Sequence, residues 1–230
     1  MSVQRFRVWF RKGERVRYIS HLDVLRSWER SIRRAGLPLS YSQGFTPHAK
    51  IAFASPLPLG FVSEAEVMDV SLDARIDPME FRERLAPEST EDLAVLAVEE
   101  VALSAPAPQA ALLWADYEAD VPDLPTDEAE RTVDGFMGRT DFAWTEERNE
   151  KLRTYNLRAV IATLRAGPLD GGTRLSMRLQ ADQEFTARPE QVLAGVFPGH
   201  TATTYRRVGL VLDDPSPART AWRRRGRFEG

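Results

Sequence analysis

The chain has 230 residues, 43% hydrophobic and 28% charged, enough to bury the core of one large domain or two small ones and too apolar for a wholly disordered polypeptide. Cysteine is absent, which excludes a disulfide scaffold, a zinc–cysteine site, a catalytic cysteine and an iron–sulfur cluster ligated by this chain. A formal net charge of −3 hides a segregation: positions 1–50 carry 11 Lys/Arg against 3 Asp/Glu, 61–150 carry 6 against 24, and 151–230 carry 14 against 7. No apolar run approaches the ~18 residues of a membrane helix, and the N-terminus enters an alternating pattern with no signal-peptide core. The expected compartment is the cytoplasm.

In chain order, Arg5 to Arg11 alternates charge with apolar bulk and predicts a half-buried strand, closed by a turn at Gly13. Ser20 is an N-cap with Asp23 three residues on. Leu22, Leu25, Trp28, Ile32 and Ala35 then recur at helical spacing, leaving Arg26, Arg30, Arg33 and Arg34 off the stripe, and Gly36 with Pro38 ends the helix. Strands are predicted over Ile51–Ala54 and Ala65–Leu72, a helix from Pro78 through Leu85, and a strand over Leu93–Leu103.

Ser104 to Gln109 reads as a linker, and behind it the order recurs. Strands are predicted near 111–121, 141–145, 157–164 and 173–179, helices near 126–137 and 189–196, and a last strand over 205–212. The fold class is therefore α+β: two tandem ferredoxin-like (βαββαβ) units with antiparallel sheets, the second carrying one strand segment too many. The predicted organisation is a first unit at 1–104, a linker at 105–110, a second unit at 111–212, and a flexible basic tail at 213–230 around Trp222.

Chemistry is concentrated in the first unit. His21 follows the N-cap of the first helix, where the positive end of the helix dipole favours neutral imidazole. The loop from Ser40 to His48 combines Gly44 and Pro47 with two aromatics, Tyr41 and Phe45, which suits stacking on unpaired bases, with Arg26, Arg30, Arg33 and Lys50 near phosphates. The predicted binding set is His21, Asp23, Arg26, Arg30, Arg33, Tyr41, Gln43, Phe45, His48 and Lys50. The loop is long enough to return along the helix and put His21, Asp23, Gln43 and His48 in one polar pocket. A metal could bridge Glu64 and Glu66 to a histidine, but glutamates on a strand need no such explanation, and no metal site is expected. Walker, dinucleotide-binding and nucleophile-elbow motifs are absent.

The run Arg15 to Asp23, Arg33 to Pro38, Tyr41 to His48, Pro56 to Gly60, Ser63 to Glu66 and Asp69 resembles the radical SAM-linked family of bacterial proteins, which occur alone or fused behind a radical SAM enzyme. The likeness is dense over residues 3–73. Thr46 stands where Asn is usual in that family, and Ala49 where Pro is usual. The resemblance implies a radical SAM partner, with the cluster held by that partner and no cofactor by this chain. The function expected is that of a non-catalytic accessory module, binding RNA or a ribonucleoprotein client. An alternative of another class is a metal-independent endoribonuclease, by fold-level analogy with CRISPR repeat-processing enzymes. There His21 is the general acid or base, Tyr41 or His48 assists, and Arg33 or Lys50 stabilises developing charge.

Overall fold

In β1 (Gln4–Lys12) the alternate residues Gln4, Phe6, Val8, Phe10 and Lys12 are all buried, because successive strand side chains point to opposite faces and this set lies under helices. The computed structural model describes residues 2–148 and 151–213. They fall into two units, 2–112 with 208–213, and 113–207.

In the first unit β1 is followed by α1 (His21–Arg34), β2 (Ile51–Phe53), β3 (Val62–Leu72), α2 (Pro78–Leu85), β4 (Val95–Glu100) and a short helical turn, α3 (Pro108–Ala111). Strand β1 lies between β3 and β4, and β2 pairs with β3; all three pairings are antiparallel. Val8 sits opposite Met68 on one side and Val98 on the other. Both helices are capped by side chains: the Ser20 hydroxyl accepts the Asp23 N–H, and the Asp77 carboxylate accepts those of Met79 and Glu80. Val24, Trp28 and Ile32 of α1 and Phe81 and Leu85 of α2 join Phe6, Val8 and Phe10 in one core. Phe6 stacks on Phe81 at 4.3 Å between centroids, and Phe10 meets Trp28 edge-on at 5.0 Å.

The buried stripe of α1 is Val24, Trp28, Ser31 and Ile32, so the predicted stripe is corrected: Leu22 is 59% exposed. The predicted strand over Leu93–Leu103 is shorter, because Leu93 ends a 3-10 turn. The 105–110 linker is partly helical, Pro108 opening α3.

The second unit contains β5 (Leu112–Pro122), α4 (Thr126–Met137), β6 (Ala143–Arg148), β7 (Lys151–Asn156), β8 (Ile161–Leu169), β9 (Gly172–Gln180), α5 (Pro189–Val196) and β10 (Thr204–Leu212), the last crossing back into the first unit at Val208. Its sheet runs β10–β5–β9–β8. β9 is antiparallel to both β5 and β8. Thr203 bonds Asp120, Arg206 bonds Glu118 and Arg207 bonds Tyr117, so β10 is antiparallel to β5 as well. A Cβ at Gly172 would lie 2.3 Å from the Val121 carbonyl oxygen, which is why glycine opens β9.

The surplus segment is an inserted hairpin. Among the described residues β6 and β7 pair only with each other, and the predicted strand at 157–164 starts later, at Ile161, after a 3-10 turn at Arg158–Val160. The insert packs on α5: the Trp144 ring lies against Gly195, and Gln191 donates to Glu146. Of the tail predicted at 213–230 only Asp213 lies within the described residues; its N–H donates to Ala111 O.

Candidate nucleic-acid interface

With Val24, Trp28 and Ile32 turned to the core, the other face of α1 presents arginines to solvent. Arg26, Arg30 and Arg33 are exposed. Arg26 has an i,i+3 contact to Asp23 at 3.5 Å, and Arg34 pairs with Glu88 at 2.8 Å. Arg30 and Arg33 have neither an ion pair nor a hydrogen bond among the described residues, which leaves both guanidiniums available to an anion.

Beside this face the chain makes a protruding hairpin. Leu39 bridges Leu72, Tyr41 bridges Ala49, and the Ser42 N–H donates to His48 O at 2.8 Å while the His48 N–H donates to Ser42 Oγ at 2.9 Å. Gln43 to His48 are exposed, and Phe45 at the tip is completely exposed. The Tyr41 hydroxyl donates to Glu29 Oε1 at 3.1 Å, anchoring the hairpin to the arginine helix. Burial, then this bond to a carboxylate, pushes the Tyr41 phenol up, so Tyr41 stays a donor rather than a base. Lys50 is exposed, its ammonium donating to Ser2 Oγ.

His21 lies elsewhere. Its ring meets Phe53 edge-on at 4.9 Å, over a small cavity lined by Phe10, Lys12, His21, Val24, Phe53, Leu57 and Glu66. Lys12 and Glu66 are 2% and 4% exposed, and Lys12 Nζ donates to Arg17 O at 3.1 Å and Ile19 O at 3.3 Å. Burial lowers the His21 pKa; Glu66 opposes the shift and Lys12 adds to it. The neutral imidazole expected from the helix dipole thus has desolvation as its main cause.

The single pocket is corrected to two places. His21 neighbours Phe53, Lys12 and Glu66; His48 closes the hairpin base; Asp23 serves the cap and Arg26; Gln43 is exposed on the hairpin. The physical reason is that β2, not the loop, carries the chain back along the sheet, so Phe53 arrives under His21 while His48 stays five residues upstream. Glu64 is exposed and Glu66 buried, so the two do not make a joint ligand pair. Among the described residues, no group of three or more His, Asp or Glu side chains is placed to hold a metal ion.

Sequence reasoning passed over Lys12, Phe53 and Tyr18. Lys12 had a signal: it continues the alternation of Phe6, Val8 and Phe10, which puts a cation on the core face. Tyr18 is 73% exposed, with the Arg17 guanidinium 5.0 Å from its ring centroid.

Residues 5–189 match the family model described as an uncharacterized protein conserved in bacteria, DUF2344. No curated protein matches. Among solved structures, a chain of a Cbf5-Nop10-Gar1 complex is similar in fold, with a TM-score of 0.52 at 12% identity over 91% of this chain. The match covers 50% of that chain, so the present protein spans about half its length.

Proposed function

We propose a function for a chain that belongs to the bacterial family DUF2344 of uncharacterized proteins: it is a non-catalytic accessory module that binds single-stranded RNA, free or in a ribonucleoprotein, and presents it to a radical SAM enzyme. The observation that carries the RNA reading is a fully exposed Phe45 on a hairpin fastened by the Tyr41–Glu29 bond to the helix that bears the exposed Arg30 and Arg33, which have no ion pair among the described residues. Aromatic surface for bases beside guanidiniums for phosphates is the composition of a single-strand site. The radical SAM partner is supported by the motif resemblance over residues 3–73. In both units the sheet order is last–first–third–second strand, and we read each as ferredoxin-like. The likeness to a Cbf5-Nop10-Gar1 chain supports only the fold.

The test is a titration of labelled single-stranded RNA across a salt series. Wild-type protein should bind. Arg30→Ala and Arg33→Ala should each weaken binding and lower the salt slope by about one phosphate equivalent, and Phe45→Ala should weaken it at unchanged slope. No binding at low salt overturns the RNA reading. Failure of the radical SAM protein to co-purify overturns the accessory role.

A second reading, metal-independent RNA cleavage, is favoured by one observation: a neutral imidazole beside a buried Lys12 and Glu66. Tyr41, held by Glu29, and His48, at the hairpin base, do not stand with it. Cleavage of labelled RNA in EDTA that disappears in His21→Ala would establish this reading. Binding with no cleavage would remove it.

A further inference from the structure

We infer that Tyr41 is a positioning residue for phosphate capture: by engaging the Glu29 carboxylate, its hydroxyl keeps that carboxylate off Arg33 and leaves the guanidinium to the ligand. The inference rests on the RNA reading above and deepens it, because it gives the reason one arginine of α1 is open to phosphate.

Helix geometry sets the problem. Glu29 and Arg33 stand one turn apart on α1 with the carboxylate on the N-terminal side, the spacing and order in which an acid pairs best with a cation. Other helices of the protein make this pair. Arg84 meets Glu80 at 3.3 Å in α2, and Arg131 meets Asp127 at 3.0 Å in α4. In α1 it is not made: Glu29 accepts the Tyr41 hydroxyl at 3.1 Å instead, and the Arg33 guanidinium has neither an ion pair nor a hydrogen bond among the described residues.

The hydroxyl and the guanidinium share one neighbourhood. Burial and the bond to Glu29 push the Tyr41 phenol up, and Arg33 pulls against them, so its charge acts on the same oxygen. Arg30, the residue after Glu29, faces another way round the helix and has no such rival.

Hairpin and helix therefore act together. Docked, the hairpin presents Phe45 and occupies Glu29. Released, it frees Glu29 to turn to Arg33, and the stacking ring and the phosphate ligand are lost in one step.

The experiment measures binding of the full chain to inorganic polyphosphate, which has no bases, and in parallel to a single-stranded RNA of about ten nucleotides. Thermal melts verify that each variant folds. Tyr41→Phe should bind polyphosphate about two- to fivefold more weakly, the worth of one exposed ion pair that must first be broken. Adding Glu29→Gln, which removes the competing charge, should restore at least the wild-type affinity, a larger gain than the same change gives with the hydroxyl in place. The Tyr41→Phe loss should persist in Arg30→Ala and vanish in Arg33→Ala. By NMR, the Arg33 Nε–H should exchange with water more slowly in Tyr41→Phe than in wild type. A bond that only steadies the hairpin predicts instead a loss confined to RNA. Polyphosphate affinity of Tyr41→Phe equal to wild type, or an equal gain from Glu29→Gln with and without the hydroxyl, overturns the inference; so does wild-type protein that binds no polyphosphate. Wild-type protein that binds polyphosphate but not RNA overturns the RNA reading, and the role of Tyr41 then stands on the polyphosphate series.

Discussion

The Tyr41 hydroxyl donates to Glu29 Oε1 at 3.1 Å and so fastens the hairpin that carries Phe45 to the middle of α1. Without it the hairpin has its backbone bonds at the Tyr41–Ala49 bridge and the Ser42–His48 pair to fix its direction. Tyr41→Phe should therefore destabilise the protein by only about 0.5–1.5 kcal/mol, the value of one partly buried hydrogen bond. Amide exchange at His48 should accelerate, and affinity for single-stranded RNA should fall although no base-contacting group has been removed. Urea unfolding and hydrogen exchange check the first two outcomes; exchange at His48 identical to wild type would show that the bond does not hold the hairpin.

His21 gives a pH signature with a definite sign. Burial lowers its folded-state pKa below the ordinary value of 6.5, with Lys12 acting in the same direction and Glu66 against it. Between the folded and unfolded pKa values the unfolded chain binds more protons, so stability rises with pH there. The contribution is fully present above the unfolded value of about 6.5 and falls away as pH drops toward the folded one. The His21 ring proton shifts should titrate below 6.5, and His21→Gln should flatten the acid side of the stability profile. A titration at or above 6.5 would contradict the packing on Phe53.

How far these features were legible in the sequence depends on the range of the interaction. Ser20 as a cap and Pro78 as a helix start are local, and both stand where the sequence puts them. The apolar stripe of α1 is only half legible because two sets of residues share Trp28 and Ile32; which one is buried depends on how the helix lies on β1 and β3. Of the inserted hairpin only the β6 side, near 141–145, is legible; β7 is hidden because its residues are polar and largely exposed, with Thr154 bonded to Thr145, and so lack the apolar run that announces a strand. Lys12 beside Glu66 and His21 depends on the register of β1 against β3, which one residue of slip would reverse.

A pairing of the same kind holds Asp69. Arg7 and Asp69 are opposite one another in β1 and β3, 1% and 2% exposed, with Arg7 Nε and Nη2 donating to the carboxylate at 2.7 and 3.0 Å. Removing one member of a buried pair leaves the other charge desolvated. Asp69→Asn should cost about 3–5 kcal/mol, far more than Asp127→Asn, whose partner Arg131 is exposed. Chemical denaturation of the two variants in parallel checks the ranking, and equal losses would show that Arg7 relaxes toward another acceptor.

Two glycines on neighbouring helices should answer the same substitution with opposite signs. A Cβ on Gly195 of α5 would lie 2.8 Å from Leu157 Cδ2 and 3.2 Å from the Trp144 ring, between the turn before β8 and the inserted hairpin. Leu157 is fully buried and cannot swing into solvent, so Gly195→Ala forces the hairpin off α5. An overpacked core contact of this kind costs about 1–3 kcal/mol. At Gly135 of α4 the added methyl meets nothing within 4 Å, and the helical backbone suits alanine. Gly135→Ala should stabilise by about 0.4–1 kcal/mol, by removing freedom from the unfolded chain. Thermal or urea unfolding separates the two, and tryptophan emission reports whether Trp144 has moved. Stabilisation by Gly195→Ala would mean that the hairpin does not rest on α5 at all.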